Sequence, residues 1–96
     1  MVRHVFMAAF KTDATKDQIQ KAFDDLKAVK EKIPNVIDVA VGYVVGDKGK
    51  LVMTVDFESR ADFEAYANHP YHADYLTRAS EEYFDPYRFH VVQFEF

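Results

Sequence analysis

Histidine and tyrosine side chains are the groups in this sequence best suited to acid–base chemistry, and three of them lie close together along the chain. Tyr66 and His72 lie on either side of the Asn68-His69-Pro70 segment, which contains His69. A neutral imidazole can take an acidic proton near neutral pH, and a phenol can hydrogen-bond to a developing oxyanion. The spacing therefore places side chains that are capable of acid–base chemistry near one bend of the chain.

A further histidine, His4, lies in an alternating segment on the side that carries Phe6 and Phe10. An imidazole there either hydrogen-bonds to a partner in the core or lines a cavity between sheet and helices. Structural roles are also open at the bend, where His69 would cap a helix end and the Tyr66 hydroxyl would bond to the backbone. The residues alone leave these alternatives open.

The common nucleotide-binding and hydrolase motifs are absent, since the sequence has no P-loop, G-x-G-x-x-G, G-x-S-x-G or H-E-x-x-H segment. It also has no cysteine, which excludes a disulfide framework, a zinc ribbon, an Fe–S cluster and a thiol nucleophile. The H-x-x-H segment from His69 to His72, with Asp74 nearby, contains Pro70, so its two imidazoles need not share a helix face. We therefore expect no metal and no cofactor.

Charge patterning indicates an ordinary acidic surface. Two acidic pairs, Asp24-Asp25 and Glu81-Glu82, are interpreted as solvated helix faces rather than as paired catalytic carboxylates. The 96 residues carry a net charge of −4 without basic clusters, which argues against nucleic acid and anionic membranes as partners. There is no apolar run of about 18 residues and no apolar leader region. We expect one domain, residues 1–96, in a soluble cytoplasmic protein.

The first third of the chain has a strand pattern followed by a helix pattern. Residues 2–11 alternate with period two and predict a strand. Thr15-Lys16-Asp17-Gln18 has the form of a capping box, which predicts the start of a helix that ends before Pro34. The apolar stripe of that helix consists of Ile19, Phe23, Leu26, Val29 and Ile33.

The rest of the chain predicts a hairpin, two helices and a last strand. The predicted elements are, in chain order, a strand over 36–45, a turn over 46–49, a strand over 51–57, a helix from Ser59, a helix over 71–83 and, after Asp85-Pro86, a strand over 87–96. The order βαββααβ predicts an α+β, ferredoxin-like sandwich with a four-stranded antiparallel sheet.

The strands are apolar on both sides, although helices can cover only one face of such a sheet. The first strand offers Phe6 and Phe10 to one face and Val5 and Met7 to the other. A solvated face of an antiparallel sheet should be polar, and an exposed apolar face of this extent usually marks an interface. We expect a homodimer in which the uncovered faces, where we place Met7 and Val41, meet across a two-fold axis. The alternative is a long edge strand with scattered apolar residues.

Four segments together resemble the stress-responsive dimeric α/β-barrel (Dabb) family over essentially the whole chain. They are Val2-Arg3-His4-Val5-Phe6, Lys32-Ile33-Pro34-Asn35-Val36, Val55-Asp56-Phe57-Glu58-Ser59 and Tyr66-Ala67-Asn68-His69-Pro70-Tyr71-His72, the last of which is similar to the family's Y-x-x-H-P-x-H. The resemblance implies a ferredoxin-like fold whose dimer closes a β-barrel, in agreement with the two-sided strands.

The family includes a plant polyketide cyclase that makes olivetolic acid by an intramolecular aldol condensation without metal or cofactor. The resemblance to it implies that Tyr66 and His72 are catalytic and that His4 lines the pocket. We therefore assign substrate binding to His4, Phe6, Phe23 and His69, with a small carbonyl, aromatic or polyketide compound as the ligand.

The chain departs from the family pattern at the pocket mouth. Many members have a longer stretch between strands two and three, where this chain has a short turn over 46–50. Tyr71 is also bulkier than the small residue often found there, and we expect it to narrow the entrance.

Three hypotheses about function follow. The first is a cofactor-free polyketide cyclase, lyase or isomerase that acts on a small carbonyl compound. The second is a non-catalytic, stress-responsive homodimer that binds a ligand or has a structural role. The third, an oxygen- or haem-handling monooxygenase, rests on analogy of fold alone. A cavity reached by both Tyr66 and His72 would favour the first hypothesis.

Overall fold

The computed structural model describes residues 1–96 as four strands, four α-helices and one π-helix. In chain order these are β1 (Val2–Phe10), α1 (Lys16–Lys27), α2 (Val29–Lys32), β2 (Asp38–Val44), β3 (Asp47–Phe57), α3 (Arg60–Asn68), the π-helix (Tyr71–Leu76), α4 (Thr77–Tyr83) and β4 (Phe84–Glu95). None of the helices has the length and apolar character needed to cross a bilayer.

The strands form one antiparallel sheet in the order β2-β3-β1-β4. This arrangement confirms the predicted α+β, ferredoxin-like fold class, in which helices pack on one face of a four-stranded sheet. β1 is central, with β3 on one side and β4 on the other. β4 is therefore an edge strand with only one neighbour in this chain.

The predicted capping box is present at the start of α1. The Thr15 side chain accepts a hydrogen bond from the Gln18 N–H at 3.1 Å, and the Gln18 side chain accepts one from the Thr15 N–H at 2.9 Å. The predicted single helix is instead two, because α1 and α2 are separated at Ala28. Ile33 is extended, as expected for a residue that precedes proline.

The largest differences from the predicted strand boundaries are at the starts of β3 and β4, while β2 is shorter than predicted at both ends. β3 begins at Asp47 rather than at Leu51, because the hairpin turns on Val45 and Gly46 alone. Gly46 has φ +80, a left-handed conformation that glycine adopts without strain. β4 begins at Phe84 rather than after Pro86, which the sheet accommodates because an edge strand does not need every N–H.

The hydrophobic core lies between the sheet and the helices. From the predicted helix stripe, Leu26, Val29 and Ile33 are buried, whereas Ile19 and Phe23 are partly buried and pack against the core. The other buried core residues are Val2, Ala8, Phe10, Ala22, Leu51, Met53, Val55, Phe57, Tyr66, Leu76, Ala79, Tyr83 and Phe84. Burial of these side chains orders the helix layer that holds the site.

The opposite face of the sheet has no helix over it, and we call it the open face. Met7 lies there, paired with Val52 on β3 and His90 on β4. Placing Val41 on this face was wrong: Val41 pairs with Met53, a core residue, and packs against the core. Because side chains alternate along a strand, a strand that is apolar on both sides gives no indication of which side faces the helices.

Candidate functional site

A cavity of about 140 Å³ lies between the helix layer and the sheet. A cavity of about 150 Å³ in a protein core can hold a benzene molecule, so this space fits a ligand of one-ring size. Its apolar wall consists of Phe6, Leu26, Met53, Leu76 and Phe84. Its polar groups belong to His4, Tyr66, His72, Thr77, Ser80 and Tyr83.

Tyr66 projects from α3 into this cavity and is 0% exposed. Its hydroxyl is the one buried side-chain polar atom of the chain that has no hydrogen-bond partner. Burial raises the pKa of this phenol, so it stays protonated and able to donate. An unpartnered buried polar group costs about 1–3 kcal/mol, which makes the hydroxyl a strong candidate for contact with a ligand.

His72 lies in the first turn of the π-helix, and its ring centroid is 4.6 Å from that of Tyr66. Nδ1 of His72 is 3.0 Å from the carbonyl oxygen of Ala67. Since a carbonyl only accepts, Nδ1 carries the proton and Nε2 is left with a free lone pair. The geometry therefore leaves His72 with a basic nitrogen that makes no hydrogen bond within the chain.

His4 lies on β1, is 5% exposed, and has its ring centroid 5.6 Å from that of Tyr66. His4 lines the cavity, and its Nδ1 is also 2.9 Å from the side-chain nitrogen of Gln93, which is an exposed residue of β4 rather than a core partner. Burial, with a smaller contribution from the nearby His72, lowers the pKa of His4 from 6.5 to about 4. His4 is therefore neutral at pH 7.

The remaining predicted substrate-binding residues are divided between the cavity and other places. Phe6 lines the cavity. Phe23 lies elsewhere, against Phe10 and Tyr43, with a ring-centroid distance of 4.9 Å to Tyr43. His69 also lies outside the cavity and has the structural role left open above: it ends α3, and its Nδ1 accepts a hydrogen bond from the backbone N–H two residues on at 3.1 Å.

Tyr71 does not narrow the entrance as expected, because its hydroxyl turns towards α1 and donates to the backbone carbonyl of Asp25 at 2.6 Å. The expected solvated position of Asp25 is also wrong. Its carboxylate is buried and accepts hydrogen bonds from Tyr75 at 2.8 Å and from Tyr83 at 3.0 Å. This set, which we call the Asp25 network, ties α1 to the π-helix and α4.

Sequence analysis missed Gln93 and the π-helix. One feature of the sequence could have indicated Gln93: it is a single amide side chain between apolar residues of the last strand. No feature of the sequence indicated the π-helix, because over so few residues a π-helix and an α-helix have the same spacing of apolar residues. No three His, Asp or Glu side chains lie close enough together to form a metal-binding group.

The chain therefore has an α+β, ferredoxin-like fold with a small cavity that is lined by two imidazoles and a phenol. The chain belongs to the Stress responsive A/B Barrel Domain (Dabb) family, whose model matches residues 2–96. No curated protein sequence matches the chain.

Solved structures share the fold at low sequence identity. A protein from Arabidopsis thaliana is 20% identical with a TM-score of 0.84, and the match covers 99% of this chain and 94% of that one. A hydroxynitrile lyase from Passiflora edulis is 18% identical with a TM-score of 0.83, covering 97% and 90%. A dimeric ferredoxin-like protein of unknown function from Thermobifida fusca is 23% identical with a TM-score of 0.78, covering 99% and 90%. These likenesses establish the fold.

Proposed function

We propose that the protein is a cofactor-free lyase, isomerase or cyclase that acts on a small, neutral carbonyl compound. The observation that carries this proposal is the unpartnered hydroxyl of Tyr66, a residue that lines a cavity together with His72, whose Nε2 makes no hydrogen bond within the chain. A hydrogen-bond donor and a base on one small cavity are the two groups that enolate chemistry needs.

In the proposed step, Nε2 of His72 takes a proton from the carbon next to the carbonyl group. The C–H bond breaks, an N–H bond forms on the imidazole, and the electron pair moves into the carbonyl to give an enolate. The Tyr66 hydroxyl donates to the enolate oxygen, where negative charge develops. In an isomerisation, the enolate regains the proton from the imidazolium at another carbon. In a ring closure, the enolate carbon forms a C–C bond to a second carbonyl carbon of the same molecule, the π bond of that carbonyl breaks, and its oxygen takes the proton from the imidazolium.

Cavity size and the structural neighbours support a small substrate. Drug-sized ligands occupy pockets of about 300–1,000 Å³. This cavity, of about 140 Å³, fits a compound of one-ring size better than a long polyketide chain. One neighbour is a hydroxynitrile lyase, so the fold is compatible with lyase chemistry. Hydroxynitriles therefore belong in the substrate panel with ketones and β-ketoesters.

The test is turnover of that panel, followed by proton NMR: deuterium uptake next to the carbonyl for ketones and β-ketoesters, and appearance of the aldehyde or ketone for hydroxynitriles, in which the base takes the hydroxyl proton while the C–CN bond breaks and cyanide leaves. His72→Ala should lower the rate by about 10²–10⁴, because the base is removed. Tyr66→Phe should lower the rate while the protein stays folded in thermal melts. Tyr87→Phe is the matched control, since Tyr87 is 92% exposed and far from the cavity lining.

Full activity in a folded His72→Ala variant would contradict the mechanism. Absence of turnover across the panel, together with measurable binding of a panel compound, would favour the non-catalytic ligand-binding hypothesis instead.

We also propose that the open face forms a homodimer. Val5 and Met7 at its centre lie beside Val92 and Phe94 of β4, which are 57% and 45% exposed. An apolar sheet face without a cover usually packs against another protein surface. The T. fusca neighbour is described as dimeric, which supports the same assembly here.

Met7→Asp should dissociate the dimer or make the protein insoluble, since a charge without a partner would be buried in the interface. Val45→Asp is the control, because Val45 is 100% exposed at the hairpin tip. Sedimentation at micromolar concentration measures the mass of each variant. A wild-type monomer, or a Met7→Asp variant with unchanged dimer mass, would contradict the proposal.

A further inference from the structure

The side chain of Gln93 faces His4 across neighbouring strands. The two residues are directly paired in the β1–β4 register, so their side chains lie on the same face of the sheet. The amide nitrogen of Gln93 is 2.9 Å from Nδ1 of His4. An amide N–H only donates, so Nδ1 of His4 accepts, and the proton of this neutral ring is on Nε2.

The two imidazoles of the cavity are therefore held in opposite tautomers. Nδ1 of His72 donates to a carbonyl, which leaves a lone pair on Nε2. Nδ1 of His4 accepts from an amide, which leaves an N–H on Nε2. One ring is thus an acceptor and potential base, and the other is a donor that cannot take a proton at Nε2.

We infer that Gln93 is a positioning residue that fixes His4 as a hydrogen-bond donor, so that the cavity selects neutral ligands with an accepting oxygen. This inference rests on the proposed function and deepens it, because it states what the substrate must present to each side of the cavity. The oxygen accepts from His4 and Tyr66, and the acidic proton lies towards His72.

The composition of the cavity lining supports a neutral ligand. No Asp, Glu, Lys or Arg side chain lines it. The His4 ring and the Tyr66 hydroxyl are uncharged at neutral pH, and a carboxylate or phosphate ligand would lose its hydration without gaining a lysine or arginine partner. The uncharged oxygen of a ketone, aldehyde or hydroxynitrile loses much less hydration free energy on entering such a site.

Replacing the amide by a carboxylate of the same shape should reverse the arrangement. In Gln93→Glu, the carboxylate accepts from Nδ1–H of His4, which moves the neutral ring's proton away from Nε2 and favours the imidazolium form. In Gln93→Met, neither tautomer is favoured. Gln93 is on the exposed edge strand, so neither change removes core packing.

The first measurement is the tautomer of His4 at pH 7, read from two-bond ¹H–¹⁵N correlations of the imidazole nitrogens. The wild type should carry its proton on Nε2, Gln93→Glu should shift the proton to Nδ1 or protonate both nitrogens, and Gln93→Met should give a mixture. A wild-type ring protonated on Nδ1, or a tautomer unchanged in Gln93→Glu, would overturn the inference.

The second measurement is the Kd of cyclohexanone, a neutral one-ring ketone, by ligand-observed NMR. Gln93→Glu should weaken binding about tenfold at a pH at which its His4 ring is neutral, because Nε2 then has no proton to donate and one hydrogen bond inside the cavity is lost. Glu95→Gln, the inverse change two residues along the same strand face, should leave the Kd within about twofold. Equal Kd values in the wild type and Gln93→Glu, despite a changed tautomer, would overturn the selection of ligands.

Neither measurement depends on turnover. If the tautomer and the Kd respond as stated but no substrate is converted, the proposed catalysis fails and the role of Gln93 stands. If turnover is found but the tautomer does not respond, the proposed function stands and the role of Gln93 fails.

Discussion

The Asp25 network and the cavity at Tyr66 are two regions of the same helix layer that treat tyrosine hydroxyls in opposite ways. Tyr75 and Tyr83 donate to the Asp25 carboxylate, and Tyr71 donates to its backbone carbonyl. The Tyr66 hydroxyl has no acceptor within the chain. The first region uses its hydroxyls to join helices, whereas the second leaves one free beside a cavity.

The difference is informative because the two arrangements have opposite effects on stability. A hydrogen bond to a charged acceptor contributes about 1.5–3 kcal/mol to folding, while an unpartnered buried hydroxyl costs about 1–3 kcal/mol. Tyrosine content alone therefore does not identify a site. The location of the unpartnered hydroxyl is more informative, because Tyr66 lines a cavity that His72 also lines.

The largest effect is expected from Asp25→Ala, which removes the acceptor of the buried Tyr83 hydroxyl and of the more exposed Tyr75 hydroxyl. The free energy of unfolding should fall by about 3 kcal/mol or more, since the hydroxyls of Tyr75 and Tyr83 lose their partner. For a chain of this length, that change lowers Tm by roughly 12 °C or more. Calorimetry at matched protein concentration measures it.

Asp25→Asn serves as its control, because the amide keeps the shape and one accepting oxygen and should lose less stability than Asp25→Ala. An Asp25→Ala variant that melts within about 2 °C of the wild type would show that the network does not hold the helix layer.

Acid should weaken the cavity region through His4. Its pKa is lowered from 6.5 to about 4 in the folded state, so between these pH values the unfolded chain binds a proton that the folded chain does not. Stability is therefore full above about pH 6.5 and is lost as the pH falls towards 4, by about 3 kcal/mol. The titratable side chains beside His4 are Tyr66, whose ring contacts that of His4, and His72, whose ring contacts that of Tyr66.

Urea unfolding at pH 7, 5.5 and 4.5 measures this loss. His4→Gln should flatten the dependence between pH 6.5 and 4, because the titrating ring is gone. A wild-type protein with equal stability at pH 7 and pH 4.5 would contradict the neutral state of His4.

The smallest effects come from removing single hydroxyls, and they sharpen the comparison most. Tyr83→Phe should destabilise the protein by about 1 kcal/mol or more, because Asp25 loses one of its donors. Tyr66→Phe should leave stability unchanged or raise it slightly, because it removes a hydroxyl that has no partner. Equal losses in the two variants would show that the Tyr66 hydroxyl finds a partner in solution.

The sequence was sufficient to predict the fold and some of the residues that line the cavity. Alternation, the capping box at Thr15 and the break at Pro70 are local patterns, and the structure contains each of them. Tyr66 and His72 flank one bend, so local geometry brings their rings together. The resemblance to a family supplied His4, which lies more than 60 residues earlier in the chain.

Partners from distant segments could not be predicted in the same way. Asp25 has the sequence context of a surface helix, and its burial depends on tyrosines about 50 residues away. The pairing of Gln93 with His4 depends on strand register, which a sequence does not specify until the order of the strands is known. Phe23 was assigned to substrate binding, yet its position on α1 directs it to Tyr43.

The π-helix at Tyr71–Leu76 makes the site depend on the number of residues in this segment as well as on their identity. A turn closed by i→i+5 bonds holds more residues than an α-helical turn, in which each residue rotates the chain by about 100°. Deleting one residue, such as Ala73, would let the segment relax to an α-helix. His72 would then rotate about the helix axis, with α4 as the fixed reference, and would turn away from Tyr66. Point substitutions would not detect this dependence, whereas a scan of single-residue deletions and insertions would find a segment with a fixed length.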